Sequence, residues 1–182
     1  KKAAVETLLD RQVDGIIYAT MYHRVVHPPK TIREVPTVLL DCYVEDQSLP
    51  SVVPDEVRGG RESTMHLISK GHRRIGYIGD SAPVAAERLR RQGYREALQA
   101  AGLVYDPDMT GVGETAPAGG YACAMKLLRL PERPTAFFCF NDRMAMGVYD
   151  AARELGLRIP DDLAVVGYDD QEIIAAHLRP SL

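Results

Sequence analysis

The sequence predicts an α/β fold in which parallel strands form a sheet with helices on both faces. Short, nearly continuous apolar runs alternate with longer amphipathic stretches along the 182 residues. Parallel strands that are buried on both faces have this apolar composition, and the alternation of strand with helix predicts right-handed βαβ units. Hydrophobic residues make up 46% of the chain, which suffices for the core of one domain or of two small lobes.

Seven apolar runs are predicted to be strands, and the run at 110–113 is the weakest of them. Most of these runs place several β-branched residues close together, as buried strands do. The predicted strands cover residues 13–19, 37–41, 51–53, 74–79, 110–113, 136–140 and 163–168.

Four amphipathic stretches are predicted to be helices. Three of them end at a glycine, which is Gly71, Gly102 or Gly156, and a helix commonly ends at a glycine in the left-handed conformation. The fourth stops before Pro131. The predicted helices cover residues 55–69, 84–101, 118–130 and 142–155.

Composition restricts the class of protein. The formal net charge is −3, so the chain itself shows no basic surface for nucleic acid or for an anionic membrane. The three cysteines lie in apolar contexts without short spacings, and we expect buried thiols in a reducing cytoplasm. The five histidines show no metal-ligand spacing, so neither a metal nor a cofactor is expected.

Several polar side chains follow the predicted strands. Ligands of open α/β sheets bind beyond the carboxyl ends of the strands, where Asp41, Asp80, Asn141 and Asp169 stand. Asp and Asn at such positions also cap helices or form turns, and we favour a cap for Asp142 and a turn for Asp80. Asn141 and Asp169 are each the first polar residue after an apolar strand, so we expect them to face a ligand crevice.

Arg90 stands on the apolar side of the helix predicted at 84–101, in line with Tyr94. An arginine there either pairs with a buried acid or reaches toward the strand ends. We favour the second alternative, in which Arg90 shares a crevice with Asn141 and Asp169. A guanidinium, an amide and a carboxylate together suit the vicinal hydroxyls of a sugar.

Patterns typical of enzymes are weak in this sequence. Residues 111–116 resemble the start of a dinucleotide fingerprint but lack its last glycine. The nucleophile-elbow and phosphate-loop patterns are absent, and no base–nucleophile pair is visible. We therefore expect a binding protein and not an enzyme.

Four motifs, taken together and in order, resemble the lactose/galactose-repressor (LacI/GalR) family of transcription regulators. The first two are GHRRIGYIG at 71–79 and RRQGYREAL at 90–98. The third leads from PTA at 134–136 to NDRMAMG at 141–147, and the fourth is GLRIPDDLAVVGYDD at 156–170. The resemblance extends over nearly the whole chain.

The resemblance implies a periplasmic-binding-protein-like effector domain made of two Rossmann-like lobes. We assign residues 1–53 to a partial N-terminal lobe and residues 54–182 to the C-terminal lobe. The family's N-terminal helix-turn-helix, the first strand of its first lobe and its returning C-terminal tail have no counterpart here.

By position, the resemblance implies that Arg90, Asn141 and Asp169 bind the effector and that Asp41 is an acid at the cleft edge that couples the lobes. Thr115 matches a ligand-site position that often holds a stacking aromatic residue. Because Thr115 offers no flat platform, the sequence supports neither a purine nor any particular sugar.

The function that follows is ligand sensing by a cytoplasmic regulator: a small effector, expected to be a sugar, binds between the lobes and controls operator DNA binding by the helix-turn-helix. The alternative is an exported sugar-binding protein of a transport system. The resemblance also implies a homodimer through the helix at 142–155 and the segment Ile173–Leu178. An apolar set on that helix, Ala145, Met146 and Tyr149, suits this contact, although another helix of the same lobe would also cover it.

Overall fold

The computed structural model describes residues 2–182, and the chain divides into two compact units. The first unit extends to Asp55 and includes Val84–Ala86, whereas the second comprises Glu56–Pro83 and Glu87–Leu182. The division therefore falls two residues after the lobe boundary expected from the sequence.

The first unit contains a three-stranded parallel sheet in the order β1-β2-β3. The register of β1 against β2 shifts between Ala19 and Arg24, so β1 extends to Val25, well past the predicted end at residue 19. The first helix and a short 3-10 helix were not predicted. The elements are α1 (Lys2–Asp10), β1 (Ile16–Val25), the 3-10 helix (Lys30–Glu34), β2 (Thr37–Tyr43) and β3 (Ser51–Val52).

Only one face of this sheet is covered in the part of the chain that the structure describes. Ile16 and Leu39 are buried in a core with α1 and the 3-10 helix. On the opposite face Ile17, Leu40 and Val52 are exposed by 75%, 44% and 60%. The expectation of helices on both faces is therefore wrong for the first unit: its strands alternate between a buried and an exposed side chain.

The second unit contains a four-stranded parallel sheet in the order β5-β4-β6-β7. Its strand ends lie within two residues of the predicted ones. A short 3-10 helix, Pro107–Met109, precedes β5. The other elements are α2 (Glu56–Ser69), β4 (Ile75–Asp80), α3 (Ala85–Ala100), β5 (Thr110–Gly113), α4 (Pro117–Leu127), β6 (Ala136–Cys139), α5 (Asp142–Glu154), β7 (Ala164–Val166) and α6 (Glu172–Ala175).

The central strands of the second unit are buried, as their apolar sequences predict. Tyr77 on β4 stacks on Tyr94 of α3 with ring centroids 5.3 Å apart, and Phe138 on β6 meets Tyr77 edge to face at 5.4 Å. These aromatic rings belong to a buried cluster that joins the sheet to α3 and, through Leu67 and Ile68, to α2. The three glycines predicted to end helices have positive φ angles of 93°, 68° and 69°, which confirms the predicted helix ends.

Helices α4 and α5 pack closely because each has a glycine at the contact. A Cβ atom on Gly120 would lie 2.1 Å from the carbonyl oxygen of Met144, and one on Gly147 would lie 2.0 Å from that of Pro117. Such distances exclude any larger residue at these positions.

The second apolar set on α5 is mostly covered by the chain itself. Ala145 and Tyr149 are buried, and the Tyr149 hydroxyl donates a hydrogen bond to the carbonyl oxygen of Pro180 at 3.0 Å. This is the alternative in which the same lobe covers the set, so an uncovered face of α5 no longer supports self-association. The expected homodimer rests on the family resemblance.

The three cysteines are buried and unpaired in the structure, as predicted. Among the described residues, none of the helices combines the length and apolar character that crossing a bilayer requires.

Candidate functional site

Two of the predicted ligand residues meet beyond the strand ends of the second unit. Arg90 reaches from α3 to Asp169, which follows β7, with 3.4 Å between Nη2 and Oδ1. Arg90 also donates from Nη1 to the carbonyl oxygen of Phe140 at 2.5 Å. The structure therefore brings Arg90 and Asp169 together. Asn141 directly follows Phe140, the residue whose carbonyl oxygen Arg90 contacts.

The guanidinium of Arg90 is held rigidly. It makes a bidentate ion pair with Glu56, with Nε to Oε2 at 2.6 Å and Nη2 to Oε1 at 3.3 Å. It also lies 3.6 Å from the ring centroid of Tyr168 and 4.7 Å from that of Phe140, distances at which arginine interacts with an aromatic face. Arg90 therefore makes both of the contacts that the sequence allowed. It pairs with a buried acid, the alternative that was not favoured, and it also reaches Asp169.

The electrostatic surroundings keep Arg90 charged. Burial alone lowers the pKa of Arg90, but the hydrogen bond and charge of Glu56 and the charge of Asp169 raise that pKa above its ordinary value. Arg90 is only 6% exposed. The site therefore holds a fixed positive charge that is paired from within the protein.

Glu56 lies in the helix predicted at 55–69 and was not predicted as a site residue. Its partner Arg90 lies 34 residues away, beyond the reach of any local pattern. The sequence signal that could have indicated this contact is a glycine on each of the two helices. A Cβ atom on Gly60 would lie 2.3 Å from the Arg90 carbonyl oxygen, and one on Gly93 would lie 2.1 Å from that of Val57. These glycines allow α2 and α3 to approach, which brings Glu56 to Arg90.

Asn141, and not Asp142, is the N-cap of α5. The Asn141 Oδ1 atom accepts a hydrogen bond from the Met144 amide at 3.0 Å, the geometry of an N-cap, so the predicted cap assignment is wrong by one residue. A role of Asn141 in ligand binding stays a prediction.

Asp142 fixes the loop that carries Asp169. Its Oδ2 atom accepts a hydrogen bond from the Gln171 amide at 2.7 Å, and its own amide donates to the Tyr168 carbonyl oxygen at 3.0 Å. Asp169 and Asp170 have φ angles of 91° and 49°, a region that costs energy for residues other than glycine. The contacts of Asp142 therefore offset the strain of this loop.

A second buried carboxylate orders the loop after β4. Glu87 on α3 accepts hydrogen bonds from the Tyr77 hydroxyl at 2.7 Å and from the Asp80 amide at 3.1 Å, and it pairs with Arg91 at 2.5 Å. Arg91 is therefore engaged by a carboxylate of its own helix. Asp80 accepts from the Ala82 amide at 2.9 Å, which confirms its predicted turn role.

The remaining two predicted residues lie elsewhere. Asp41 belongs to the first unit, on β2, with a φ angle of 56°, and its carbonyl oxygen accepts from the Thr20 hydroxyl at 2.9 Å. Thr115 lies between β5 and α4, and β5 forms the opposite edge of the second sheet from β7. The buried Thr115 hydroxyl has no hydrogen-bond partner within residues 2–182. No group of three potential metal ligands is found in the same range.

Comparison with known proteins identifies the family. The periplasmic binding protein-like domain family matches residues 64–182. The ribose operon repressor of Escherichia coli K12 is 37% identical over 183 aligned positions, which cover 98% of this chain and 54% of the repressor. The chain thus spans about half the length of the curated relatives that it matches.

Solved structures support the same family assignment. A LacI-family transcriptional regulator from Rhizobium etli superposes with a TM-score of 0.88 at 34% identity, covering 99% of this chain and 66% of that one. The transcriptional regulator CelR in its cellobiose complex superposes with a TM-score of 0.73 at 33% identity, covering 99% and 56%. These relatives are regulators and not enzymes or exported transport proteins. The chain belongs to the periplasmic binding protein-like domain family, in the form found in LacI/GalR regulators, as its four motifs predicted.

Proposed function

We propose that this chain is the effector-sensing part of a transcription regulator and that it binds a small sugar at the strand ends of the second unit. The proposal extends the predicted roles of Arg90, Asn141 and Asp169 as ligand contacts, with Asp41 and Thr115 as further contacts implied by the family resemblance. Occupancy of the site would control operator binding by a helix-turn-helix domain outside this sequence.

The observation that carries the proposal is the unfilled hydrogen-bonding capacity around a rigid guanidinium. The contacts with Glu56, Phe140 and Asp169 use four of the five N–H groups of Arg90, so one N–H on Nη1 is left for a ligand. Asp169 has a side chain that is 36% exposed and therefore accepts hydroxyl hydrogens. One donor beside acceptors matches adjacent sugar hydroxyls, which each donate and accept.

The relatives favour a sugar as the ligand class. The Escherichia coli relative is named for a ribose operon, and the CelR structure is a complex with cellobiose. Thr115 enters the proposed site only through the family resemblance. Its buried hydroxyl, which has no hydrogen-bond partner among the described residues, suits a polar ligand better than a planar ring. An unsatisfied buried hydroxyl costs free energy unless a ligand or water completes it.

The proposal also includes the partners of the whole protein. A regulator that presents two DNA-reading domains to a palindromic operator acts as a two-fold dimer in the cytoplasm. The mildly negative chain with a net charge of −3 would contribute little to DNA affinity, which depends on phosphate neutralisation by basic residues.

A thermal-shift panel of sugars, sugar phosphates and purines on the full-length protein tests the sugar proposal. A ligand at 100 times its Kd stabilises the folded state by about 2.7 kcal/mol through mass action, and we expect one or more sugars to raise the Tm. The shift should be abolished by Arg90→Ala and retained by Arg88→Ala, because Arg88 is exposed on the same helix. Stabilisation by purines with none by any sugar would contradict the proposal.

A further inference from the structure

Arg90 is a cation at the proposed ligand site, yet its charge is already neutralised from inside the protein. The side chains of Arg90 and Glu56 are only 8% and 2% exposed, and their ion pair is bidentate with a shortest distance of 2.6 Å. Water screens such a pair weakly. Glu56 therefore cancels the field that would otherwise attract an anionic ligand to the guanidinium.

Further carboxylates make the surroundings of Arg90 negative. Asp169 approaches the same guanidinium to 3.4 Å, so one positive charge stands against two negative ones. Asp142 lies close to this loop: burial raises the pKa of Asp142, and the negative charges of Asp169 and Asp170 raise it further. An incoming anion would meet this excess of negative charge at short range.

We propose that Glu56 determines ligand specificity: it tunes the site to accept uncharged polyhydroxyl ligands and to exclude sugar phosphates and other anions. The inference rests on the proposed function and adds the charge class of the ligand. Glu56 lies behind Arg90 and acts on the ligand through it. Glu56 therefore affects ligand selectivity without contacting the ligand directly.

Charge explains why the two ligand classes differ. A neutral sugar donates hydroxyl hydrogens to Asp169 and accepts from the remaining Nη1 N–H of Arg90, for which residues 2–182 supply no acceptor. The phosphate group of a sugar phosphate carries a charge of about −1.5 to −2 at neutral pH and offers mainly acceptors where the neutral sugar has a hydroxyl that also donates. In a site of low effective dielectric, repulsion between like charges a few ångströms apart outweighs the single hydrogen bond that phosphate gains.

Isothermal titration of the full-length protein with D-ribose, D-ribose 5-phosphate and inorganic phosphate measures this selectivity directly. We expect the wild-type protein to bind D-ribose at least about tenfold more tightly than its phosphate ester and to show no binding of inorganic phosphate; tenfold corresponds to about 1.4 kcal/mol. In Glu56→Gln the guanidinium loses its internal counter-charge. We expect the ratio of the affinity for D-ribose to the affinity for D-ribose 5-phosphate to fall by at least about tenfold in this variant. We also expect the variant to bind inorganic phosphate.

Two variants separate specificity from stability. Glu56→Asp keeps the negative charge, so the preference for the neutral sugar should persist even if overall affinity falls. Glu62→Gln removes an exposed carboxylate on the same helix, one that pairs with Arg58 at 2.7 Å, and should leave the ratio unchanged. Circular dichroism establishes that each variant is folded. If Glu56→Gln does not fold, the inference is decided by the ratio of D-ribose to D-ribose 5-phosphate affinity in the wild-type protein and in Glu56→Asp.

The outcomes distinguish this inference from the proposed function. Equal or tighter binding of D-ribose 5-phosphate by the wild-type protein, or an unchanged ratio in folded Glu56→Gln, overturns the inference and leaves sugar sensing intact. Absence of binding by every sugar and sugar phosphate of the thermal-shift panel overturns the proposed function, and the inference with it.

Discussion

The two units build parallel sheets from similar apolar strands but cover them differently. In the second unit, β4 and β6 are buried apart from the end of β4, with α2 and α3 on the face that carries Tyr77 and Phe138. In the first unit, Ile17 and Leu40 stand on an exposed face. A parallel sheet normally needs cover on both faces, so the second unit holds the more complete core and provides the rigid frame for the candidate site.

The same difference explains how well the sequence predicted each unit. The strands of the second unit are short apolar runs between amphipathic helices with glycine ends, and their predicted limits were close to the observed ones. In the first unit, β1 continues through Tyr22, His23 and Arg24 past a shift in register. Polar residues in an edge strand resemble a loop, so periodicity gave no sign of the extension or of α1.

The site was predictable only in part, because local patterns do not encode long-range contacts. Arg90 was identified from its place on an apolar stripe, and Asp169 from its place after a strand; the structure joins them. Glu56 could not be assigned, since its partner is set by how α2 and α3 pack. Glu87 has one local partner, Arg91 on the same helix, but its contacts with Tyr77 and Asp80 are set by how α3 packs on β4. The loop held by Asp142 likewise depends on a contact across 29 residues.

The comparison predicts that core truncation harms the second unit far more than substitution on the exposed face harms the first. Phe138→Ala should lower the free energy of unfolding by about 3–5 kcal/mol, because it leaves a cavity among fully buried aromatic residues. Ile17→Thr should change it by less than about 0.5 kcal/mol, as expected for an exposed position. Urea denaturation of this 182-residue chain would measure both changes in the free energy of unfolding. A loss above 2 kcal/mol for Ile17→Thr would show that the face is covered in solution.

Ligand binding should also depend more on the second unit than on the first. Arg90→Ala should cost about 2–4 kcal/mol of effector binding, as expected for a buried, charged hydrogen-bonding group. Asp41→Asn, which tolerates the positive φ angle at this position, should cost about 1 kcal/mol. Calorimetry with the sugar found in the thermal-shift panel measures both.

Removing Arg90 leaves Glu56 buried and unpaired, which should also lower stability by about 3–5 kcal/mol, so affinity is measured at a temperature where the variant is folded. Arg88→Ala is the matched control because Arg88 is exposed on the same helix. Unchanged affinity in folded Arg90→Ala would remove Arg90 from the site, and a larger loss for Asp41→Asn than for Arg90→Ala would reverse the comparison.

The smallest predicted effect is a pH dependence carried by Asp142, which has no equivalent among the described contacts of the first unit. Burial raises the pKa of Asp142, and the nearby Asp169 and Asp170 add to this. Because the folded state binds the proton more tightly than the unfolded state, the stability linked to Asp142 is fully present below its unfolded pKa, near 3.8, and is lost as pH rises through the higher folded pKa.

Asp142→Asn removes this titration but keeps an oxygen that accepts from the Gln171 amide. The free energy of unfolding of Asp142→Asn relative to wild type should therefore increase as the pH is raised from about 4 toward 7. Asp150→Asn is the control, since Asp150 is exposed on the same helix and pairs only with Arg153 among the described residues. Urea denaturation at several pH values gives the difference. A difference that stays constant or falls over this range would show that the carboxylate of Asp142 is stabilised and not strained by its burial against the loop of Asp169.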